Sequence, residues 1–392
     1  MIALPRVFSR QANTAIHWPT TPAPWICSSC QSATSRKRSS TARARAQNSS
    51  IRRLYATYSA NTRPANQTFN LQTKYVQKSR AAAKADVYKQ TSYLRDEIAS
   101  RLVERLFDIK RRFPVSLDLG AGACHVAKEL YRARSDEAAA EIAGDGKGSV
   151  QRLADKIDTL VTGDSCGAML QSDAGESWEI EGAKETGMKL ERRVLPLEEL
   201  LPFEGNTFDA VFSAGSMHWI NDLPSILAQV NHVLKPDSPF LAAMIGGDSL
   251  FELRTSLQLA ELDRRGGVAP HVSPFADVKD VGGLLQKAGF KMLTVDVEDL
   301  VVDYPSIFDL VVDLQAMGEG NAILEREMGP IGRDVLIAAD AIYRELHGNG
   351  ENVPATFRII HMIAWKEGEG QAKPLPRGSA DISMKDVLES KN

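Results

Sequence analysis

A glycine-containing turn follows an apolar segment in the stretch SLDLGAGACHVAKEL, residues 116–130. The turn carries one carboxylate, Asp118, and two glycines, Gly120 and Gly122. Because glycine has no Cβ, the backbone of such a turn can come close to a ligand. In many α/β proteins a turn of this kind, at the end of the first strand, holds a nucleotide-like cofactor. The turn is therefore the first candidate binding site.

The spacing of the glycines and the acid narrows the class of cofactor. A dinucleotide-binding fingerprint has a third glycine, whereas residues 123–125 read ACH here. A phosphate-binding loop needs a lysine followed by Ser or Thr, which this turn lacks. The carboxylate of Asp118 would repel a pyrophosphate and attract the amino and sulfonium groups of S-adenosylmethionine. The pattern favours S-adenosylmethionine, with a purely structural turn as the alternative.

Further acids are candidates for binding the rest of such a cofactor. Asp164 closes the segment KIDTLVTGD, where a carboxylate in nucleotide-binding folds accepts hydrogen bonds from ribose hydroxyls. It lies 42 residues after Gly122 instead of about 20, and we attribute the excess to an insertion. After the third strand, Glu198 or Glu199 could approach the adenine. The alternatives are an ordinary turn aspartate for Asp164 and surface charges for the glutamates.

Candidate substrate-side residues follow the fourth and fifth strands, because ligands in open α/β sheets bind outside the carboxyl ends of the strands. The stretch SAGSMHWIND contains His218, which could move protons, and Trp219, which could form an apolar wall. A structural histidine and a packed tryptophan are the alternatives. The stretch GGDSLFELR contains Asp248, which either caps the following helix or faces the substrate, and we favour capping.

These candidates need an alternating chain of strands and helices to bring them together. Apolar segments predict seven strands, with helical patterns between most of them. Strands that alternate with helices are joined by right-handed crossovers into parallel pairs. The predicted fold class is therefore α/β, a doubly wound, mostly parallel sheet with a helical cover on the substrate side. The predicted strands are VSLDL, KIDTLVTGD, KLERRVL, FDAVFSAG, PFLAAMIGG, KMLTVDVEDL and ATFRIIHMIAWK.

The charges of the chain are unevenly distributed. Residues 1–85 contain 14 Lys and Arg but no Asp or Glu, whereas the whole chain has a net charge of −3. An acid-free start rich in Arg, Ser, Thr and Ala is typical of a mitochondrial transit peptide, and RRLYA (52–56) resembles a matrix-protease cleavage site. A basic tail or a nucleic-acid-binding arm is the alternative, but the domain that follows is acidic. We therefore expect import and no nucleic-acid partner.

Other classes of protein lose support from the composition. No run of 18 apolar residues occurs, so no transmembrane segment is predicted, and peripheral membrane contact stays open. Cys27 and Cys30 form a CxxC, but within the segment expected to be removed, and Cys124 and Cys166 are far apart. The cysteines therefore predict neither a zinc site with two CxxC pairs nor a disulfide framework.

Seven motifs, taken in order, resemble a known family. They are LDLGAG, LPFEGNTFDAVFSAGSMHWINDLP, LKPD, GGDSLFELRTSLQLAE, HVSPF, AGF and VPATF, and the resemblance covers about residues 66–380. The chain is similar to the mitochondrial complex I assembly factors of the arginine-hydroxylase type, within the class I S-adenosylmethionine-dependent methyltransferase superfamily. HWINDLP and GGDSLFELR are far more specific to that family than the glycine turn.

The resemblance implies a fold, a location and an activity. The sheet would be methyltransferase-like, with its last strand antiparallel. The protein would lie in the mitochondrial matrix, peripheral to the inner membrane, and act early in complex I assembly with other assembly factors. It would hydroxylate an arginine of an iron–sulfur subunit of complex I.

The resemblance also assigns residues and boundaries. Asp118, Gly120, Gly122 and Asp164 take cofactor positions, and the shared motifs include His218, Trp219 and Asp248. The sequence departs from the family at the third-strand turn, where Leu197 replaces an aspartate and leaves Glu198 as the candidate near the adenine. The expected regions are a disordered presequence (1–55), a basic N-terminal segment (56–85), the methyltransferase-like domain (86–366) with insertions at about 131–156 and 171–187, and a polar tail (367–392).

Three functions stay open: arginine hydroxylation, methyl transfer to a protein, and a non-catalytic chaperone role in which the cofactor only stabilises the binding-competent fold. Hydroxylation usually needs an oxygen-activating cofactor, and iron oxygenases typically present two His and one carboxylate. His218, His271 and His361 could meet with Asp248 or Asp222, but scattered histidines more often satisfy local hydrogen bonds. No metal site is predicted, and the oxygen-activating cofactor is left unknown.

Overall fold

The predicted strands assemble into one seven-stranded sheet in the computed structural model, which describes residues 67–132, 134–135, 150–151, 153–324, 329 and 331–371. The predicted presequence, most of the insertion at 131–156 and most of the polar tail lie outside the described residues. The strands of the sheet are β1 (Val115–Leu119), β4 (Thr159–Asp164), β5 (Lys189–Val194), β6 (Ala210–Ala214), β7 (Pro239–Ile245), β8 (Phe290–Tyr304) and β9 (Val353–Lys366). Within the predicted insertion at 131–156, β2 (Arg134–Ser135) and β3 (Val150–Gln151) form a separate two-stranded ribbon.

The strand order is β5-β4-β1-β6-β7-β9-β8. β1, β4, β5, β6 and β7 pair in parallel, while β9 runs antiparallel to both of its neighbours, β7 and β8. This arrangement confirms the expected doubly wound sheet with its last strand antiparallel. The parallel pairing brings the carboxyl ends of β1, β4 and β6 to one edge, where the candidate residues lie.

Helices cover both faces of the sheet. The described helices are α1 (Leu71–Ala82), α2 (Ala85–Thr91), α3 (Tyr93–Glu104), α4 (His125–Tyr131), α5 (Gly167–Leu170), α6 (Ser177–Thr186), α7 (Leu223–Val233), α8 (Phe251–Arg265), α9 (Val278–Lys287), α10 (Ile307–Ala316) and α11 (Arg333–His347).

The helices and the sheet form two apolar cores. One core joins strand residues such as Phe212 and Leu241 to helices α3, α4, α8, α10 and α11, and the other joins Val211 and Phe240 to α7 and α9. Adjacent strand residues enter opposite cores because successive side chains of a strand point to opposite faces.

Two helices lie in segments that the sequence predicts to be outside the framework of the domain. α6 lies within the expected insertion at 171–187, and it belongs to the crossover between the parallel neighbours β4 and β5. α1 lies within the basic segment 56–85 and begins at the cap Asn70, whose side chain accepts a hydrogen bond from Thr73 N at 3.0 Å. Asn70 N also donates to Ala322 O at 2.7 Å, so the start of α1 is attached to the loop after α10.

Among the described residues, no helix combines the length and apolar character needed to cross a bilayer.

Candidate cofactor and substrate site

Asp118, near the end of β1, is a buried carboxylate without a partner. Its side chain is fully buried, and neither oxygen has a hydrogen-bond partner among the residues that the structure describes. Burial, with a further contribution from the charge of Asp164, raises the pKa of Asp118 to about 8. Since buried polar groups are almost always hydrogen-bonded, the orphaned carboxylate marks a place for a ligand that brings donors or positive charge.

The glycine turn after β1 is held against the neighbouring strands. Gly120 N and Ala121 N both donate to Gly163 O of β4, at 2.7 and 3.0 Å. Gly120 has φ of +76°, and a Cβ added there would lie 2.0 Å from Ser216 Oγ in the turn after β6. Only glycine therefore fits, for both its backbone conformation and its space. The turns after β1 and β6 are thereby packed directly against each other.

Asp164 ends β4, as the sequence predicted, and is fully buried. Gly122 N donates to its Oδ2 at 3.1 Å and Cys166 N to its Oδ1 at 2.8 Å. Lys78 Nζ of α1 contacts both oxygens, at 3.1 and 2.9 Å. Although burial opposes ionisation, these donors and above all the charge of Lys78 keep the pKa of Asp164 below its ordinary value. Asp164 is thus an ionised acceptor whose outer position is filled by a lysine.

These residues fit S-adenosylmethionine. Asp118 lacks the cationic partner that an amino or sulfonium group would provide, and the glycine turn allows close approach of a ligand. Asp164 offers the acceptor that ribose hydroxyls need once the ammonium of Lys78 is displaced.

Glu198 and Leu197 lie at the third-strand turn. Glu198 Oε1 accepts a hydrogen bond from Asn221 N at 2.7 Å, so its carboxylate supports the turn that follows Trp219. Leu197 Cδ1 lies 3.8 Å from the position that a Cβ on Gly120 would take. The residue that departs from the family pattern therefore presents an apolar group next to the glycine turn. Adenine binding by Glu198 stays a prediction.

His218 and Trp219 form a short 3₁₀ turn, Met217–Trp219, after β6. His218 is buried, and neither ring nitrogen has a hydrogen-bond partner among the residues described. Burial lowers the pKa of His218, which therefore carries a neutral ring at neutral pH. Its Nε2 lies 3.6 Å from Glu319 Oε2, too far for a hydrogen bond, whereas Trp219 Nε1 donates to the same oxygen at 2.5 Å.

Sequence reasoning missed Glu319 and the two cations around it. Glu319 follows α10, its side chain is 9% exposed, and it pairs with Arg95 of α3 and with Lys74 of α1, the latter at 3.5 Å. The sequence offered one weak signal, an acid between two glycines in MGEGN directly after an apolar helix.

A second missed group lies at the start of α4. His125 Nδ1 is 2.7 Å from Asp96 Oδ1, and its Nε2 is 2.8 Å from Tyr88 Oη. Tyr88 and His125 are both buried, and burial raises the pKa of the tyrosine. The chain ties α2, α3 and the glycine turn together through these three side chains.

Asp248 does not cap the following helix, so the capping expectation is wrong. The residue before α8 is Leu250, with φ of +54°, and Asp248 instead accepts from Arg358 Nη1 at 3.1 Å. The cause is a tight turn in which Ser249 Oγ donates to Gly246 O and accepts from Arg358 N. The side chain of Asp248 is 73% exposed at the carboxyl end of β7.

The three histidines considered together in the sequence have separate carboxylate neighbours. His218 faces Glu319, His271 lies 2.6 Å from Glu261, and His361 lies 3.7 Å from Glu298. Within the described part of the chain, no group of three or more His, Cys, Asp or Glu residues is arranged to hold a metal ion.

Comparison with known proteins identifies the family. Residues 117–242 match the family of methyltransferase domains. The mitochondrial arginine-hydroxylase NDUFAF5 of Danio rerio is 42% identical over 320 residues, which cover 81% of this chain and 89% of the relative. The Homo sapiens protein of the same name is 42% identical over 81% of this chain and 82% of the relative. A malonyl-[acyl-carrier protein] O-methyltransferase of Laribacter hongkongensis is 29% identical over 78% of this chain and 94% of the relative. The resemblance drawn from the sequence motifs is thereby confirmed, and the chain belongs to the NDUFAF5 family of mitochondrial arginine-hydroxylases.

Proposed function

We propose that this protein binds S-adenosylmethionine and hydroxylates an arginine of an iron–sulfur subunit of complex I, early in the assembly of that complex. The observation that carries the proposal is family membership, since relatives named arginine-hydroxylase are 42% identical over four-fifths of the chain. The proposal is also supported by the parallel strands β4, β1 and β6, whose carboxyl ends lie side by side in the sheet and carry the candidate residues.

The cofactor part of the proposal is supported by the carboxylates at the sheet edge. Asp118 would face the positively charged end of S-adenosylmethionine, Gly120 and Gly122 would line its path, and Asp164 would accept from the ribose. Glu198 is the proposed neighbour of the adenine. When bound, the cofactor brings a sulfonium cation and a transferable methyl group to this edge.

The substrate part of the proposal assigns roles to His218, Trp219 and Asp248. The neutral His218 ring has two unused nitrogens and can hold a proton at either one, beside the half-buried indole of Trp219. Asp248 lies at the rim, where its exposed carboxylate can meet a basic segment of the protein substrate. Hydroxylation inserts one oxygen atom into a bond to hydrogen, so an oxidant must accompany these residues.

Two other functions have a specific observation in their favour. Methyl transfer to a protein is favoured by the methyltransferase-domain match and by the similarity to a bacterial O-methyltransferase. A chaperone role, with the cofactor only stabilising the fold, is favoured by Leu197, an apolar residue beside the glycine turn where the family pattern has an aspartate.

Mass spectrometry of the complex I iron–sulfur subunits separates the three functions. Subunits would be isolated from cells that lack this protein and from cells complemented with the wild type or with His218→Ala. Loss of an oxygen-mass adduct on an arginine supports hydroxylation, and growth under ¹⁸O₂ identifies dioxygen as the oxygen source. Loss of a methyl-mass adduct supports methyl transfer instead. Failure of complex I assembly with neither adduct changed supports the chaperone role.

The proposed location is the mitochondrial matrix, at the surface of the inner membrane, together with other assembly factors. The mitochondrial naming of the relatives and the acid-free residues 1–85 support it. Extraction of isolated mitochondria tests the membrane part. A peripheral protein is released by carbonate at high pH, whereas retention in the pellet would contradict a peripheral attachment.

A further inference from the structure

A lysine of α1 fills a cation-binding niche beside His218. Lys74 is 5% exposed, and its Nζ lies 3.5 Å from the centroid of the Trp219 ring. The same atom lies 3.5 Å from Glu319 Oε2 and donates to Gly318 O at 2.8 Å. An aromatic face next to a carboxylate is a common means by which proteins recognise a cationic group.

Groups other than Lys74 hold the niche in shape. Arg95 donates to Glu319 Oε1 and Trp219 Nε1 donates to Oε2, so the carboxylate is fixed from two sides. Phe69 packs edge-on against the Trp219 ring, with the centroids 5.1 Å apart. Although burial opposes ionisation, the positive charges of Lys74 and Arg95 hold the pKa of Glu319 well below its ordinary value. Without the lysine, Arg95 and Trp219 would still hold the Glu319 carboxylate in place.

Lys74 matches the niche less well than a guanidinium would. Its ammonium is a point charge, and burial lowers the pKa of Lys74 to about 7. A guanidinium is planar, can stack on an indole face and can give two parallel hydrogen bonds to a carboxylate. The unpartnered Nε2 of His218, 3.6 Å from Glu319 Oε2, would lie next to such a group and could accept from it.

We propose that the Trp219 face and the Glu319 carboxylate form the receptor for the guanidinium of the substrate arginine. Lys74 occupies this receptor as an internal surrogate in the ligand-free protein. The inference rests on the proposed function, which supplies the arginine substrate. It adds two specificity-determining groups, Glu319 and the Trp219 face, and a competitor on α1 that the substrate must displace.

The affinity of the full chain for a small arginine derivative tests the proposal. The probe is N-acetyl-arginine methylamide, and its citrulline counterpart has nearly the same shape without the charge. Lys74→Met should bind the arginine probe about tenfold more tightly than the wild type, because the internal competitor is gone. Lys84→Met removes an exposed lysine just beyond α1 and should leave the affinity unchanged. Equal affinities in Lys74→Met and the wild type would overturn the proposal.

A second pair of variants tests the receptor itself. In the Lys74→Met background, Glu319→Gln should strongly reduce the preference for arginine over citrulline, because the amide carries no charge and only the Trp219 face still favours a cation. Trp219→Leu should weaken the binding of both probes, since both stack on the indole. This variant gives an independent test if circular dichroism shows that Glu319→Gln does not fold. Retention of the full arginine preference and affinity in whichever variants fold would contradict the proposal.

The outcome is separable from that of the proposed function. If the arginine probe binds as expected but no oxygen adduct depends on this protein, the receptor stands and the hydroxylase proposal fails. If the oxygen adduct depends on this protein but the variants leave arginine binding unchanged, the hydroxylase proposal stands and the receptor fails.

Discussion

We expect Asp118 to couple the binding of S-adenosylmethionine to the release of a proton. Its pKa is raised to about 8, so most of the ligand-free protein carries a protonated Asp118 at pH 7. A cationic ligand group next to it favours the ionised form, while the nearest charged acid, Asp164, opposes it and is itself paired with Lys78. Binding of S-adenosylmethionine should therefore release about one proton at pH 7, and the affinity should rise with pH up to about 8.

Calorimetry in buffers of different ionisation enthalpy measures this release. Asp118→Asn should bind more weakly and without the proton. In the free protein, the native state binds one more proton at Asp118 than the unfolded state does between the unfolded pKa of 3.8 and the folded pKa of about 8. The contribution of Asp118 to the free energy of unfolding therefore falls as the pH rises through that window. An enthalpy independent of buffer would contradict the role of Asp118.

Alanine variants of Gly120 and Gly187 distinguish the cost of backbone strain from the cost of steric crowding. Both have positive φ, +76° and +74°, but a Cβ on Gly120 meets Ser216 Oγ at 2.0 Å while one on Gly187 meets nothing within 4 Å. Gly187→Ala should cost about 1 kcal/mol of unfolding free energy from strain alone. Gly120→Ala should cost a further 1 to 3 kcal/mol, roughly, from overpacking, and should abolish cofactor binding. Denaturant unfolding and calorimetry check both, and equal losses in the two variants would contradict the steric argument.

Helix α1 contacts both the proposed cofactor subsite and the proposed substrate subsite. Lys74 and Lys78 are four residues apart, hence on one face of the helix, and each contacts the carboxylate of one subsite, Glu319 or Asp164. Gln77 Nε2 of the same helix donates to Asn321 O at 3.1 Å. The helix thus connects the cofactor position and the substrate position through a single surface.

Lys78→Met should have opposite effects on the free and the bound protein. The free protein should lose roughly 3 kcal/mol of stability, because Asp164 is left as a buried charge without its cation. The affinity for S-adenosylmethionine should rise about tenfold, since ribose hydroxyls no longer compete with an ammonium for Asp164. Thermal unfolding and calorimetry measure both effects, with Lys84→Met as the control. Weaker cofactor binding in folded Lys78→Met would instead mean that Lys78 contacts the cofactor.

Strands were predictable from the sequence and helix α1 was not, for physical reasons. Most strands of the sheet carry a local apolar or alternating pattern, so VSLDL and PFLAAMIGG could be recognised alone. α1 contains LQTKYVQKSRAA, whose lysines are typical of a solvated face. Its buried side chains include Lys74 and Lys78, which are stabilised by acids at 319 and 164. A local pattern does not contain such distant partners.

The candidate site was also predictable only in part from the sequence. Asp118, Gly120 and Asp164 could be placed because strand ends in a parallel sheet meet at one edge. Glu319 could not, since its partners Lys74, Arg95 and Trp219 come from three other parts of the chain. Asp248 was misread as a cap because a turn residue before a helix usually caps it, whereas Arg358 of the adjacent strand competes for its carboxylate.

Basic and acidic residues are unevenly distributed along the whole chain. Residues 1–85 carry only basic charges, and the remainder has a clear excess of acids. Residues 1–66 fused to a fluorescent protein should therefore direct it to mitochondria, because import requires a basic, acid-poor leader. Replacing Arg43, Arg45, Arg52 and Arg53 by Gln should abolish import. Microscopy and N-terminal mass spectrometry check the location and cleavage near RRLYA, and a cytosolic wild-type fusion would contradict the prediction.

The place of β9 in the sheet has a consequence for how the chain matures. Among the described residues β9 is the last strand in sequence, yet it lies between β7 and β8 and pairs with both. A chain that ended just before Val353 would therefore lack an interior strand and would present two open edges, which are prone to aggregation. During synthesis or import, β8 cannot join the sheet before β9 is present, because β9 is its neighbour in the sheet. The sheet thus stays incomplete until β9, which lies within the final 40 residues of the chain, has been made, and a stop codon just before Val353 would be nearly as damaging as a much earlier one.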